Sequence, residues 1–189
     1  MPQTFLKRMS AGAAITAGVL ALGLSGSAAA LAAPPAGEEP ATPHCASGDL
    51  AVALDTPKES AEAKGQFSIA MTFKNISDRT CVTEGVPGVD LVGPDDPNGP
   101  VYRLTKGAKE APVSFLDPDE TATTATIVVL TPSPGSVGSM GSTSWTPTTV
   151  EVTPKGLDKP LIAEWSSQLP VLRQDSATHP GSYVEGIPG

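Results

Sequence analysis

The sequence predicts an all-β fold, an antiparallel β-sandwich, and three observations carry that prediction. The chain holds 20 prolines and 19 glycines spread along its length, so long helices have nowhere to run. Phe67, Ile69, Met71 and Phe73 fall on one face of a run whose other face carries Ser68, Thr72 and Lys74, the period-two pattern of a half-buried strand. Turn-forming clusters separate further apolar or β-branched runs at short, regular intervals.

The elements follow in order. Lys7 and Arg8, the small and apolar run from Ala11 to Leu24, and the small-residue stretch from Ser25 to Ala33 have the three-part layout of a secretory signal peptide. Its apolar core falls short of the about 20 residues that a membrane span needs. Ala30-Leu31-Ala32 places cleavage after Ala32, with cleavage after Ala30 as the neighbouring alternative, so residues 1–32 are expected to be removed. No cysteine lies at either site to take a lipid, and the mature chain is expected to be secreted, extracellular and without a stable membrane anchor. Residues 33–44 contain no large apolar side chain and read as a flexible Pro-rich leader; residues 45–189 have the size of one domain.

Within that domain strands are expected at Leu50–Leu54, Phe67–Lys74, Val89–Val92, Val101–Leu104, Val113–Leu116, Thr121–Leu130, Thr149–Thr153, Leu161–Trp165 and Tyr183–Ile187. Asp95–Pro100 reads as a compact loop whose Asn98-Gly99 step suits positive φ, and Asp117–Glu120 as another turn. Pro132–Ser142, rich in Ser and Gly, is expected to be a mobile loop. Short strands with such regular punctuation point to an immunoglobulin-like sandwich, and a small closed β-barrel is the alternative.

Cys45 and Cys81 are the only cysteines, and in an exported chain such a pair is expected to form a disulfide. It would staple the N-terminal half and leave the C-terminal half to packing alone. The net charge is −8, and loss of Lys7 and Arg8 takes Lys plus Arg from 12 to 10 against 20 acids, or −10. A chain this acidic is repelled by nucleic acid and by anionic membrane surfaces, and nucleic acid is set aside as a partner.

Catalytic groupings are sparse. A Ser-His-Asp arrangement would have to use His44 in the leader or His179 in the Pro/Gly-rich C-terminal stretch, and no Gly-x-Ser-x-Gly elbow surrounds a serine such as Ser136 or Ser139. Asp90, Asp95, Asp96, Asp117, Asp119 and Glu120 could pair for glycoside hydrolysis, but acids in turns ordinarily set local backbone hydrogen bonds. Cys45, Cys81, His44 and His179 lack zinc-site spacing, and Asp95, Asp96 and Asn98 lack the later bidentate Glu of an EF-hand loop. Asn75-Ile76-Ser77 matches a glycosylation acceptor, though Asn75 is expected to end a strand in a turn. Trp145 follows the Ser-rich loop and is expected to be buried at a strand start, exposure being the alternative. No catalytic, cofactor or metal site is predicted.

The block from Asn75 to Leu91, with Cys81 followed by Gly85-Val86-Pro87-Gly88-Val89, resembles the signature of a secreted actinobacterial family known only as a domain of unknown function, DUF4232. Further likeness lies in Cys45 followed by Asp49-Leu50, in the Leu116–Ala125 turn and strand, and in the Val150–Pro154 step, so the resemblance runs from Cys45 nearly to Gly189. Val86 replaces an aromatic residue usual in that family, and a second cysteine pair often found in the C-terminal half is missing. The resemblance implies secretion, an immunoglobulin-like sandwich and no known catalytic residues.

The expected function is that of a secreted, non-enzymatic binding module for an unknown protein or cell-envelope ligand. Sandwiches bind through end loops, which directs attention to Asp95–Pro100 and Pro132–Trp145, with Asp95, Asp96, Asn98 and Trp145 as candidates. The alternative is a secreted hydrolase inhibitor or hydrolase.

Overall fold

Apolar or β-branched residues at every second position set the long strands, and short ones form where partners capture them. The computed structural model describes residues 41–187; the expected signal segment and the leader up to residue 40 lie outside the described residues. The strands are β1 (Leu50–Leu54), β2 (Lys58–Glu59), β3 (Gln66–Asn75), β4 (Cys81–Thr83), β5 (Gly88–Val92), β6 (Val101–Arg103), β7 (Thr105–Lys106), β8 (Ser114–Leu116), β9 (Thr121–Leu130), β10 (Thr149–Thr153), β11 (Leu161–Glu164) and β12 (Tyr183–Gly186). All nine expected strands form. The additional β2, β4 and β7 have two or three residues, too few for periodicity to show.

One sheet runs β1-β3-β9-β12-β7, a second β11-β10-β5-β6, and β4 pairs with β8. β2 joins β3 beside β1, so the two act as one edge interrupted near Pro57, whose missing N–H cannot serve a ladder. Strand pairing is antiparallel except between β12 and β7. A single residue, Leu104, separates β6 from β7, and the chain there passes from one main sheet to the other. The sheets keep separate edges and close into no barrel, which leaves the sandwich and removes the barrel alternative.

The core is one cluster drawn from both inner faces. Ile69, Met71 and Phe73 of β3 and Ile127 and Val129 of β9 meet Val89 and Leu91 of β5 and Val150 and Val152 of β10. Each such side chain contributes about 1.5–3 kcal/mol on full burial, before ordering entropy. β9 carries a bulge: Met71 opposes Ala125 while Thr72 opposes Thr123, leaving Thr124 unpaired with its hydroxyl buried and unbonded.

The disulfide Cys45–Cys81 is formed. Cys45 N–H donates to Val82 O, and Val82 N–H to Pro43 O, each at 3.0 Å, so ordered pairing reaches back to Pro43 in the segment read as leader. Asn75 ends β3 as expected, but as a buried plug. Its Nδ2 donates to Arg79 O and Leu116 O at 2.8 and 2.9 Å, which leaves that nitrogen inaccessible to a glycan. No helix among the described residues is long and apolar enough to cross a membrane.

Candidate functional site

Val171 bridges Trp145 in an antiparallel pair, and the alternation that buries Val171 also buries Arg173 two residues on. The Arg173 side chain is fully withdrawn from solvent. Its guanidinium carbon lies 5.1 Å from the Tyr102 ring centroid and 4.6 Å from that of Trp145, within cation–π range of both. Nε and Nη2 donate to the two oxygens of Asp175 at 2.9 and 2.6 Å, a bidentate fork. Nη1 donates to Gly99 O at 2.9 Å and Nη2 to Val101 O at 2.8 Å, so the loop before β6 folds over the cation. A buried arginine survives only when paired in this way.

The loop between β5 and β6 is tied in turn to the loop between β9 and β10. Asp96 Oδ1 accepts from the Asn98 N–H and amide at 2.9 and 2.8 Å, and Oδ2 accepts from the Ser142 hydroxyl at 2.7 Å. Asn98 Nδ2 also donates to Ser139 O at 2.8 Å, and Ser139 N–H to Arg173 O at 2.9 Å. Burial acts to raise the Asp96 carboxyl pKa, but the Asn98 and Ser142 hydrogen bonds and the Arg173 charge outweigh it and hold it below the usual carboxylate range. Burial pushes the Tyr102 hydroxyl up.

Two glycines permit the close packing. A Cβ on Gly138 would run into the carbonyl oxygen of Arg173, and one on Gly93 would lie 2.8 Å from the Trp145 ring. Pro132–Ser142, expected to be mobile from its composition, is therefore laced to Asp96, Asn98 and Arg173, with a 3-10 turn at Ser139–Gly141. The C-terminal half likewise rests on this polar hub as well as on packing, contrary to the expectation of packing alone.

The structure brings Asp96, Asn98 and Trp145 together around Arg173, the residue that sequence reasoning did not single out. Trp145 is buried, as expected, and its Nε1 donates to Pro94 O at 2.9 Å; it supports the loops and offers no stacking face to solvent. Asp95 is exposed at the rim. Both Asp96 oxygens accept hydrogen bonds from the loops, and no three His, Cys, Asp or Glu converge as metal ligands among the described residues. Outward from the hub stand Val137 and Met140, 68% and 73% exposed, with Met140 held at φ 53°.

The remaining acids serve structure. Asp90 binds Arg103, Asp119 binds Lys74, the Glu120 carboxylate accepts from Asp117 N–H across their turn, and the Asp117 carboxylate accepts from the Thr80 hydroxyl. His44 sits beside Val82, whereas exposed His179 has the Thr178 hydroxyl 3.2 Å from its Nδ1. A separate groove of about 550 Å3 opens between Phe67, Leu130, Pro132, Pro134 and Leu172, with Lys64 at its wall.

The family model for a domain of unknown function, DUF4232, matches residues 45–181. The chain belongs to the DUF4232 family. The DUF4232 match takes in both cysteines, the two loops and Arg173, and leaves β12 beyond it. No curated protein matches this DUF4232 chain, and no solved structure does.

Proposed function

We propose that this DUF4232 chain is an exported, non-enzymatic module that binds an envelope or extracellular partner through the loop end braced by Arg173. One observation carries the reading: two loops distant in sequence are locked on a buried cation, which leaves Asp95, Val137 and Met140 on a stiff frame facing outward. A surface ordered before contact spends less free energy on ordering during binding. The signal-like N-terminus supports export, and a disulfide suits an oxidising compartment. The engagement of Asp96 and Arg173 in structural bonds and the turn roles of the other acids support a non-enzymatic role.

Crosslinking of residues 33–189 to envelope fractions, read by mass spectrometry, tests this. A partner captured by the wild type and lost on changing Val137→Ser and Met140→Ser together, at unchanged melting temperature, supports the loop end. Capture that survives both changes sinks it. The left-handed backbone at exposed Met140 favours a second reading, a rigid inhibitory loop. Inhibition of a secreted hydrolase that Met140→Ser abolishes would select that reading.

A further inference from the structure

Asn98-Gly99 is a step at which an asparagine side chain cyclises readily, because glycine puts no side chain in the path of its own backbone nitrogen. We propose that Asn98 is a deamidation site gated by the fold, with ring closure held off while the two loops are pinned and the loops released once it occurs. In the reaction the Gly99 nitrogen attacks Asn98 Cγ; the new N–Cγ bond forms as the Cγ–Nδ2 bond breaks. Ammonia leaves with the Gly99 proton. Water then opens the cyclic imide at either carbonyl, leaving aspartate or an isoaspartyl link.

The reacting groups are all restrained in the folded chain. Gly99 N–H donates to Asp96 O at 2.7 Å, which occupies the nucleophile. Nδ2, the leaving nitrogen, is held by Asp96 Oδ1 and Ser139 O at 2.8 Å each, so Cγ cannot swing toward Gly99 without losing both bonds. Arg173 grips the carbonyls on either side of the reacting bond, Asn98 O at 3.3 Å and Gly99 O at 2.9 Å. After reaction the same geometry works against the loops. A carboxylate oxygen replaces the donor facing Asp96 and Ser139 O, adding like-charge repulsion and removing two hydrogen bonds. The isoaspartyl product also lengthens the backbone between residues 98 and 99 and pulls their carbonyls off Arg173.

Peptide mapping of the full mature chain during prolonged incubation at mildly alkaline pH tests the gate. Conversion of Asn98 is expected to be slower by about tenfold or more in the oxidised, folded protein than in the reduced chain unfolded in urea, as local opening must precede reaction. Asn75, the chain's other asparagine, precedes bulky Ile76 and serves as internal reference. Equal rates in the two states overturn the gating. Hydrogen exchange on Asn98→Asp, or on converted wild-type protein isolated in its folded form, tests the release. Faster exchange at Gly138 and Ser139 with β3 and β9 unchanged supports it; unaltered exchange at Gly138 and Ser139 overturns it. No readout involves a partner, so failure here is distinct from failure of the binding role.

Discussion

Moving a guanidinium out of water costs several kcal/mol, and Arg173 offsets that cost with Asp175, the carbonyls of Asn98, Gly99 and Val101, and two ring faces. Lysine would keep the charge but lose the planar fork that serves these acceptors at once. Arg173→Lys is expected to destabilise the protein by about 3 kcal/mol, seen as a lower urea midpoint at unchanged slope. Asp96 supplies a pH-dependent share. Its folded pKa lies below the unfolded value, so its contribution is complete above about pH 3.9 and is lost as pH falls through the folded pKa. Asp96→Asn should therefore lower the melting temperature clearly at neutral pH and progressively less below about pH 3.9. Nothing local in the sequence flags Arg173, because its carbonyl partners lie 72 to 75 positions away. An arginine in a Pro- and Gly-rich stretch reads as surface until those partners are known. The trace available was its placement two residues after Val171, on the same face of an extended run.

β3 and β10 were legible because alternation over five to ten residues reports which face is buried, whereas β9, whose burial does not alternate, showed itself by its Thr, Ile and Val content. β2 and β7 exist only through neighbours, Phe67 and Ser68 for one and Tyr183 and Val184 for the other, and a two-residue strand carries no pattern of its own. β4 is held by β8 and by the crosslink at Cys81. Composition misled over Pro132–Ser142: the glycine content that suggests a linker is, at Gly138, what allows the loop to lie against the Arg173 carbonyl. Gly138→Ala is expected to cost about 1–3 kcal/mol and to open this loop to proteolysis, measured by thermal unfolding and by limited digestion. Digestion unchanged from wild type would show that the loop adjusts without leaving the hub.

For the whole molecule, two fastenings of different kind secure the sandwich. The disulfide closes a loop over a separation of 36 residues, and its stabilisation is about 4 kcal/mol in the chain-entropy model. That is a large share of the about 5–15 kcal/mol typical of a domain. Cys81→Ser is expected to lower the melting temperature markedly, and a melting temperature unaffected by reduction would show the bond carries little. The presence of the crosslink was legible from two cysteines behind an export-like N-terminus. The second fastening was not, because it forms only when both sheets and three loops are in place.

The crosslink also sets how the chain carries mechanical load. A pull applied before Cys45 is transmitted across the sulfur bridge to Cys81 and bypasses β1, β2 and β3, which cannot be peeled while the bridge holds. In single-molecule stretching the oxidised chain should lengthen less on unfolding than the reduced chain, by roughly 130 Å at about 3.6 Å for each of the bypassed residues. A reducing environment would thus make the chain longer under tension as well as less stable.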